Sequence, residues 1–179
     1  FAEDNGVPYI VLDRPNPIGG RHVEGPILEE KLRSFVGWLP VPIVHGLTIG
    51  ELALMINGEG WLRKRKTAGL HVMKMKDWKR VQFFDQTRLQ WVNPSPSIRS
   101  LQTALAYPGT CLIEGTNVSE GRGTTRPFEL VGAPWVTAEP FADQMNRLNL
   151  PGVHFRPTVF EPTFHKHAGA SCGGCQIHV

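Results

Sequence analysis

The chain has 179 residues, of which 41% are hydrophobic and 20% are charged, close to the values of ordinary globular proteins. Its 19 glycines and 15 prolines exceed average usage of about 7% and 5%, which indicates many specific turns and loops rather than disorder. No apolar stretch approaches the roughly 18 residues that a membrane-spanning helix needs, and a net charge of +3 is too small to indicate a partner.

The first part of the chain predicts a strand, a helix and a second strand. Residues 7–12 form a short apolar run with β-branched residues and predict a buried strand. Thr48-Ile-Gly-Glu51 is a capping-box pattern, so a helix is expected over residues 49–57, with an extension to residue 65 left open. Residues 70–75 predict the second strand. This order implies two parallel strands joined by a crossover helix.

Beyond residue 92 the pattern changes to shorter and more irregular segments. The predicted segments are an extended connector (93–97), a short helix (98–106), two strands (110–113 and 128–131) and a helix capped by Thr137 (138–148). The last segment (153–160) contains Pro157 and is predicted to be either an edge strand or irregular. The fold class is therefore α/β or α+β, with a boundary near residue 93.

Positive charge is concentrated between residues 61 and 80, where eight lysines and arginines face only Asp77. The simplest interpretation is a solvated helix end and loop. Attraction to an anionic polymer such as cell-wall glycan is the alternative. No nucleic-acid-binding module accompanies the run, so a nucleic-acid partner is not expected.

The three cysteines are Cys111, Cys172 and Cys175. The last two are spaced as Cys-x-x-Cys, which is compatible with structural thiols, a local disulfide, a redox pair or half of a zinc site. The nearby histidines match no standard zinc spacing. Structural or incidental cysteines are favoured, and no metal and no cofactor are expected.

The densest group of reactive side chains lies in the segment from Glu114 to Thr125. It follows the strand predicted over residues 110–113, and ligands of open α/β sheets bind beyond the carboxyl ends of strands. Glu114 and Glu120 are a candidate catalytic pair, because glycosidic cleavage uses one carboxyl group as general acid and another as base, nucleophile or charge stabiliser. The alternative is that these glutamates form loop-pinning ion pairs with Arg122. Asn117 is a further candidate ligand-binding residue of this loop.

Three other positions place polar or aromatic groups at element ends. Arg14 and Asn16 follow the first predicted strand, and His45 precedes the capped helix. A lone histidine of this kind is more often structural than a base. Trp135 could stack on a sugar ring, and core packing is equally compatible with its position.

Several motifs occur in one fixed order along nearly the whole chain. They are Leu12-Asp-Arg-Pro-Asn-Pro-Ile-Gly-Gly20, His45-Gly-Leu-Thr-Ile-Gly-Glu-Leu-Ala53, Trp91-Val-Asn-Pro-Ser-Pro96, Tyr107-Pro-Gly-Thr110, Ser119-Glu-Gly-Arg-Gly-Thr124 and Gly132-Ala-Pro-Trp135. This series resembles the exo-β-N-acetylmuramidase family of bacterial peptidoglycan-recycling hydrolases, long known as a domain of unknown function.

The resemblance implies a fold, an activity and a set of site residues. The fold would be the end of a Rossmann-like parallel sheet (residues 1–92) followed by a smaller mixed α+β subdomain (residues 93–179), with the site in the cleft between them. The activity would be release of N-acetylmuramic acid from the non-reducing end of peptidoglycan fragments, by glutamate chemistry without a metal. Glu114 and Glu120 are the catalytic candidates. From the chemistry of the planar guanidinium group, rather than from the resemblance, we expect Arg14 or Arg122 to bind the lactyl carboxylate that distinguishes muramic acid from glucosamine.

The resemblance also implies that the chain represents the C-terminal half to two-thirds of a family member. We therefore expect a preceding segment or a partner chain to complete the parallel sheet, because such sheets are covered on both faces. Muramyl glycans are the expected partners, with no membrane span, and the expected location is periplasmic or secreted. The alternative function is a non-catalytic carbohydrate- or anion-binding module that keeps the cleft without the complete machinery.

Overall fold

A computed structural model describes residues 1–62 and 69–179. The chain divides into two compact units, Phe1–Gln90 and Trp91–Val179. Four residues of the basic run, Arg63 to Lys66, lie outside the described residues. The domain limits inferred from the sequence, 1–92 and 93–179, stay a prediction.

The first unit is built on a parallel pair of strands. Strand β1 (Tyr9–Leu12) pairs with strand β2 (Leu70–Met73) in parallel, and helix α1 (Ile49–Gly58) lies between them in the chain. The described residues of this unit also form two short 3₁₀ helices, Glu30–Leu32 and Phe84–Thr87. The strand–helix–strand order and the parallel pairing predicted from the sequence are confirmed.

The predicted capping box at the start of α1 is present. The Thr48 hydroxyl accepts a hydrogen bond from the Glu51 backbone N–H at 3.2 Å, and the Glu51 carboxylate accepts one from the Thr48 N–H at 3.0 Å. Asp13, directly after β1, accepts hydrogen bonds from the Thr48 hydroxyl and from the Gly50 N–H. The carboxylate therefore joins the end of β1 to the amino end of α1, where the helix dipole favours negative charge.

The prediction that the first strand is buried is wrong for this chain. Ile10 is 61% exposed and Leu12 is 71% exposed. The apolar run shows that the strand is suited to packing against other elements. Whether it is buried depends on the elements that cover both faces of a parallel sheet.

The second unit contains a three-stranded antiparallel sheet. Strand β3 (Leu130–Ala133) and strand β4 (His154–Phe160) flank the central strand β5 (Cys172–His178). The expected edge strand is β4, and it contains Pro157 as predicted. Taken with the first unit, this sheet confirms a mixed α/β fold with one parallel and one antiparallel sheet.

Two helices accompany this sheet, α2 (Leu101–Thr110) and α3 (Ala138–Asn146). Helix α3 packs on the sheet, where Ala142 contributes to a core with Phe155 and Cys175. The Asn146 side chain exchanges two hydrogen bonds with the Phe155 backbone, at 2.7 and 2.9 Å. Thr137 occupies the N-cap position of α3 as predicted, but its side chain makes no capping hydrogen bond.

The predicted helix over residues 98–106 and strand over residues 110–113 also need correction. Helix α2 begins later, because the Ser100 hydroxyl accepts a hydrogen bond from the Thr103 N–H, and it runs to Thr110. The 3₁₀ helix Cys111–Gly115 follows directly in place of the strand. A short apolar run does not distinguish a strand from a helix by its periodicity alone, and here the chain continues the preceding helix.

The three cysteines form no disulfide bond. Cys172 and Cys175 are buried in β5. Burial raises the pKa of Cys175 to about 12, which keeps it protonated and unreactive at physiological pH. Among residues 1–62 and 69–179, no cluster of cysteine, histidine and carboxylate side chains has the arrangement of a metal site. In the same two ranges, no helix has the length and apolarity needed to cross a bilayer.

Candidate active site

The segment predicted to carry the chemistry is organised around Arg122. Its Nε donates a hydrogen bond to Glu114 Oε1 at 2.9 Å, and its Nη2 lies 2.8 Å from the same oxygen. Its Nη1 donates to the Ser97 hydroxyl at 3.1 Å, and its Nε lies 3.6 Å from Glu120 Oε1. One guanidinium group thus brings the two candidate glutamates together.

The two glutamates differ in their accessibility. Glu120 is 2% exposed, and its Oε2 accepts a hydrogen bond from Lys166 Nζ at 2.9 Å. The side chain of Glu114 is 39% exposed. A ligand in solution can therefore reach Glu114, whereas Glu120 is enclosed between two cations.

Lys166 holds Glu120 and the surrounding backbone at the same time. Its ammonium group donates to the carbonyl oxygens of Ile113 and Val118, at 3.1 and 3.0 Å, in addition to the Glu120 carboxylate. All three protons of the ammonium group have acceptors. The lysine therefore ties both ends of the loop that separates Glu114 from Glu120.

The loop folds this way because two glycines allow close backbone approach. Gly121 and Gly123 have φ angles of +80° and +83°, a region that side chains disfavour. A Cβ atom on Gly123 would lie 2.4 Å from the Phe164 carbonyl oxygen, and the Thr163 N–H donates to the Gly123 carbonyl at 2.9 Å. The Gly-Arg-Gly sequence is thus what lets Arg122 project from a tightly packed turn.

Phe128 packs against the guanidinium group of Arg122, and its backbone has a strained conformation. It is 1% exposed, and its φ angle is +65°, which is rare for an aromatic residue. The guanidinium carbon of Arg122 lies 4.9 Å from its ring centre, and Tyr107 meets the ring edge-on at 4.8 Å. Strained residues of this kind concentrate at functional sites.

Trp135 is exposed and is held by neighbouring residues. Trp135 is 59% exposed in this chain, so the interpretation that its ring packs in the core is wrong. The ring of His167 meets it edge-on at 5.2 Å, and His167 Nε2 lies 2.7 Å from the Asn117 carbonyl oxygen. An exposed aromatic ring fixed in this way can stack on the apolar face of a sugar.

In the first unit, Asn16 and His45 have structural contacts. The Asn16 amide donates to the Leu47 carbonyl and accepts from the Ile18 N–H. The Leu47 N–H donates to His45 Nδ1 at 3.1 Å. Burial lowers the pKa of His45, so the neutral ring is favoured, with Nδ1 as acceptor. Ligand binding by this histidine would use Nε2.

Arg14 has a different environment. It follows β1 and lines a cavity at the carboxyl ends of the two parallel strands, and within the described ranges its side chain makes no ion pair. Arg122, by contrast, is engaged by protein carboxylates. Of the two arginines considered for a substrate carboxylate, Arg14 is the one whose guanidinium is available.

Three residues of this arrangement were missed by sequence reasoning, namely Ser97, Lys166 and His167. Lys166 and His167 belong to a His-Lys-His sequence that was weighed only for metal binding. Lys166 lies 46 residues from Glu120 along the chain, and no local pattern links the two. The cleft between two subdomains that the resemblance implies stays a prediction.

A parallel α/β unit followed by a small antiparallel unit is shared with a class of bacterial proteins of known structure. Two DUF1343 family proteins of Bacteroides fragilis have this fold. One superposes with a TM-score of 0.92 at 45% sequence identity, covering 99% of this chain and 46% of its own. The other has a TM-score of 0.80 at 36% identity, covering 98% and 45%.

Family comparison agrees with this class. The family described as exo-β-N-acetylmuramidase NamZ matches through its N-terminal domain over residues 1–102 and its C-terminal domain over residues 105–179. The chain therefore belongs to the exo-β-N-acetylmuramidase NamZ family, and the resemblance found in the sequence is confirmed.

A curated relative is similar across almost the whole chain. The peptidoglycan β-N-acetylmuramidase NamZ of Bacillus subtilis (strain 168) is 54% identical over 178 residues, which is 99% of this chain. The chain spans 42% of the length of that relative.

Proposed function

We propose that this chain is part of a glycoside hydrolase that releases N-acetylmuramic acid from the non-reducing end of peptidoglycan fragments. The observation that supports this most directly is the Arg122-linked pair of glutamates in a chain of the NamZ family. Glycoside hydrolysis usually employs two carboxyl groups beside the scissile bond and requires neither a metal nor an organic cofactor. Glu114 would be one of these two groups, and the other would lie outside the Arg122-linked pair.

The different environments of the glutamates favour different roles. Glu114 is accessible, has one oxygen without a protein partner among the described residues, and is proposed to act on the glycosidic bond. Glu120 is enclosed by Lys166 and Arg122, and is proposed to hold the negative charge that keeps Arg122 and the loop in place. Asn117 and Trp135 are proposed to contact the sugar, the latter by stacking on its apolar face.

We further propose that the activity belongs to a longer polypeptide that acts outside the cytoplasmic membrane on muramyl glycans. The share of the Bacillus relative that this chain spans supports this, as does the uncovered parallel strand pair. The preceding part of the relative would supply the remainder of the sheet.

A chimera tests the proposal in a complete framework. The segment of the Bacillus relative that matches this chain is replaced by the 179 residues, and release of 4-nitrophenol from 4-nitrophenyl N-acetylmuramide is measured. We expect the chimera to be active. Because acid–base residues contribute about 10²–10⁴-fold, Glu114→Gln should lower kcat by at least about 100-fold and leave the thermal midpoint unchanged.

The controls separate chemistry from folding. Glu139→Gln, an exposed position on α3, should leave kcat and the thermal midpoint unchanged. Glu120→Gln should lower both. Full turnover by Glu114→Gln would contradict the assignment of Glu114, and glycan binding without turnover by the unsubstituted chimera would favour a carbohydrate-binding module.

A further inference from the structure

A cavity of about 320 Å³ lies in the first unit, at the carboxyl ends of β1 and β2. Arg14 follows β1, Lys76 follows β2, and Arg88 belongs to the segment after the second 3₁₀ helix; all three line the cavity. The carboxyl ends of parallel strands are where open α/β sheets bind ligands. The location is therefore that of a binding site rather than of a packing defect.

The charge of this cavity is not neutralised by its own walls. Among residues 1–62 and 69–179, Arg14, Lys76 and Arg88 form no ion pair. Both oxygens of Asp13, an acidic lining residue, accept hydrogen bonds at the start of α1. Asp77 is the other acidic lining residue. The lining thus carries three cations and two carboxylates, a net charge of +1, and the cavity favours an anion.

Two further observations indicate a built site. Asp77 and Arg88, both lining residues, have φ angles of +60°, and non-glycine residues in this region concentrate where function requires them. The indole nitrogen of Trp78, another lining residue, is buried and has no hydrogen-bond acceptor within the described ranges. Unsatisfied buried donors are rare in folded proteins, so a bound ligand with an acceptor atom would complete the hydrogen bonding of this indole.

We propose that this cavity is a carboxylate subsite, in which Arg14, Lys76 and Arg88 bind a carboxylate group of a muramyl ligand. The inference rests on the proposed function for the identity of the ligand. Arginine forks match a carboxylate by paired hydrogen bonds, and the lysine adds a point charge. The carboxylate has two sources in muramyl glycans, namely the lactyl ether of unsubstituted N-acetylmuramic acid and the peptide stem of substituted units.

Isothermal titration of the chimera with three ligands tests the subsite and its source. N-acetylmuramic acid carries a free lactyl carboxylate, muramyl dipeptide carries its carboxylate on the stem, and N-acetylglucosamine carries none. Because a hydrogen bond to a charged group changes affinity by about tenfold or more, we expect at least one of the two muramyl ligands to bind at least about tenfold more tightly than N-acetylglucosamine. The tighter of these two identifies the source.

Variants test whether the preference for a muramyl ligand over N-acetylglucosamine arises in the cavity. Arg14→Gln and Arg88→Gln should each reduce the preference for the muramyl ligand by about tenfold. Arg21→Gln, an exposed arginine of the same unit outside the cavity, should leave it unchanged. In a ¹H–¹⁵N spectrum, the indole resonance of Trp78, assigned with Trp78→Phe, should move on addition of the preferred ligand but not of N-acetylglucosamine.

The result separates this inference from the proposed function. Equal affinity for all three ligands, no binding at millimolar concentrations, or an unchanged preference in Arg14→Gln and Arg88→Gln would overturn the subsite. Hydrolysis by the chimera would stand in that case. If the chimera were inactive but kept a preference for the muramyl ligand that depends on the cavity residues, the subsite would be supported. The proposed hydrolase activity would then be contradicted.

Discussion

Lys166 shows how strongly a single side chain can determine the candidate site. It is the partner of a buried carboxylate and of two backbone carbonyl oxygens. Lys166→Met should therefore lower the free energy of unfolding of the second unit by about 2–3 kcal/mol, because it leaves Glu120 with a longer ion pair to Arg122 alone. Urea unfolding monitored by far-UV circular dichroism measures this loss.

The matched control is Lys31→Met. Lys31 pairs with Glu29 at 2.8 Å, but both side chains are exposed, so the free energy of unfolding should change by less than about 0.5 kcal/mol. A loss for Lys166→Met that is no larger than this control would show that the ammonium group is not what holds the loop.

His45 gives a pH dependence at the same scale. Burial lowers its pKa below the ordinary value of 6.5, so the unfolded chain binds this proton more readily than the folded chain. The stabilisation is fully present above pH 6.5 and is lost as the pH falls through the lowered pKa. His45→Asn, which keeps an acceptor for the Leu47 N–H, should reduce the slope of unfolding free energy between pH 7 and 5; an unchanged slope would contradict this assignment.

Among the secondary-structure elements, helix α1 depends most clearly on one side chain. Thr48 is buried, caps the helix and donates to Asp13 at 2.9 Å. Thr48→Ala should destabilise the first unit by about 1–2 kcal/mol. Thr137→Ala is the comparison, because Thr137 occupies the same position of α3 without a capping hydrogen bond. Equal effects of the two substitutions in urea unfolding would show that the capping bonds contribute nothing.

The two helix starts also show what sequence patterns can predict about elements. The capping box predicted at Thr48 is confirmed, because its two hydrogen bonds are local and join residues only three positions apart. Thr137 takes the predicted N-cap position of α3 without the capping hydrogen bond, because the residue type alone does not fix the direction of the hydroxyl group. The strand over residues 110–113 was wrong because β-branched and apolar residues also continue a helix when the preceding turn is already helical.

At the scale of the whole molecule, the exposed parallel strands dominate the expected behaviour. Ile10 and Leu12 of β1 are mostly exposed, and so is Met73 of β2. The 179-residue chain should bind a hydrophobic dye such as ANS and self-associate at micromolar concentrations, because exposed apolar patches of this kind promote association. Dye fluorescence and sedimentation velocity measure both.

Ile10→Lys distinguishes surface exposure from a loss of folding. It should reduce dye binding and association while changing the free energy of unfolding of the isolated chain by less than about 0.5 kcal/mol, as for other exposed positions. In the chimera with the Bacillus relative, the same substitution should be destabilising by about 2 kcal/mol or more, because the strand would then be covered. Equal effects in both contexts would contradict a covering segment.

The amino-acid sequence alone determined the features whose causes are local or repeated along the chain. These are the capping box of α1, the parallel pairing of β1 and β2, the edge strand β4, and the ordered motifs that identified the family. Each depends on residues a few positions apart or on a pattern that can be read directly from the order of the residues.

Only the tertiary structure decided which candidate residues can meet a ligand. It enclosed Glu120 with Lys166, left Glu114 and Trp135 exposed, engaged Arg122 with the protein's own carboxylates, and left Arg14 available beside Lys76 and Arg88. Most of these outcomes depend on contacts between residues far apart in the chain, such as Lys166 and Glu120, which are 46 positions apart, and such contacts leave no periodic signal in a single sequence.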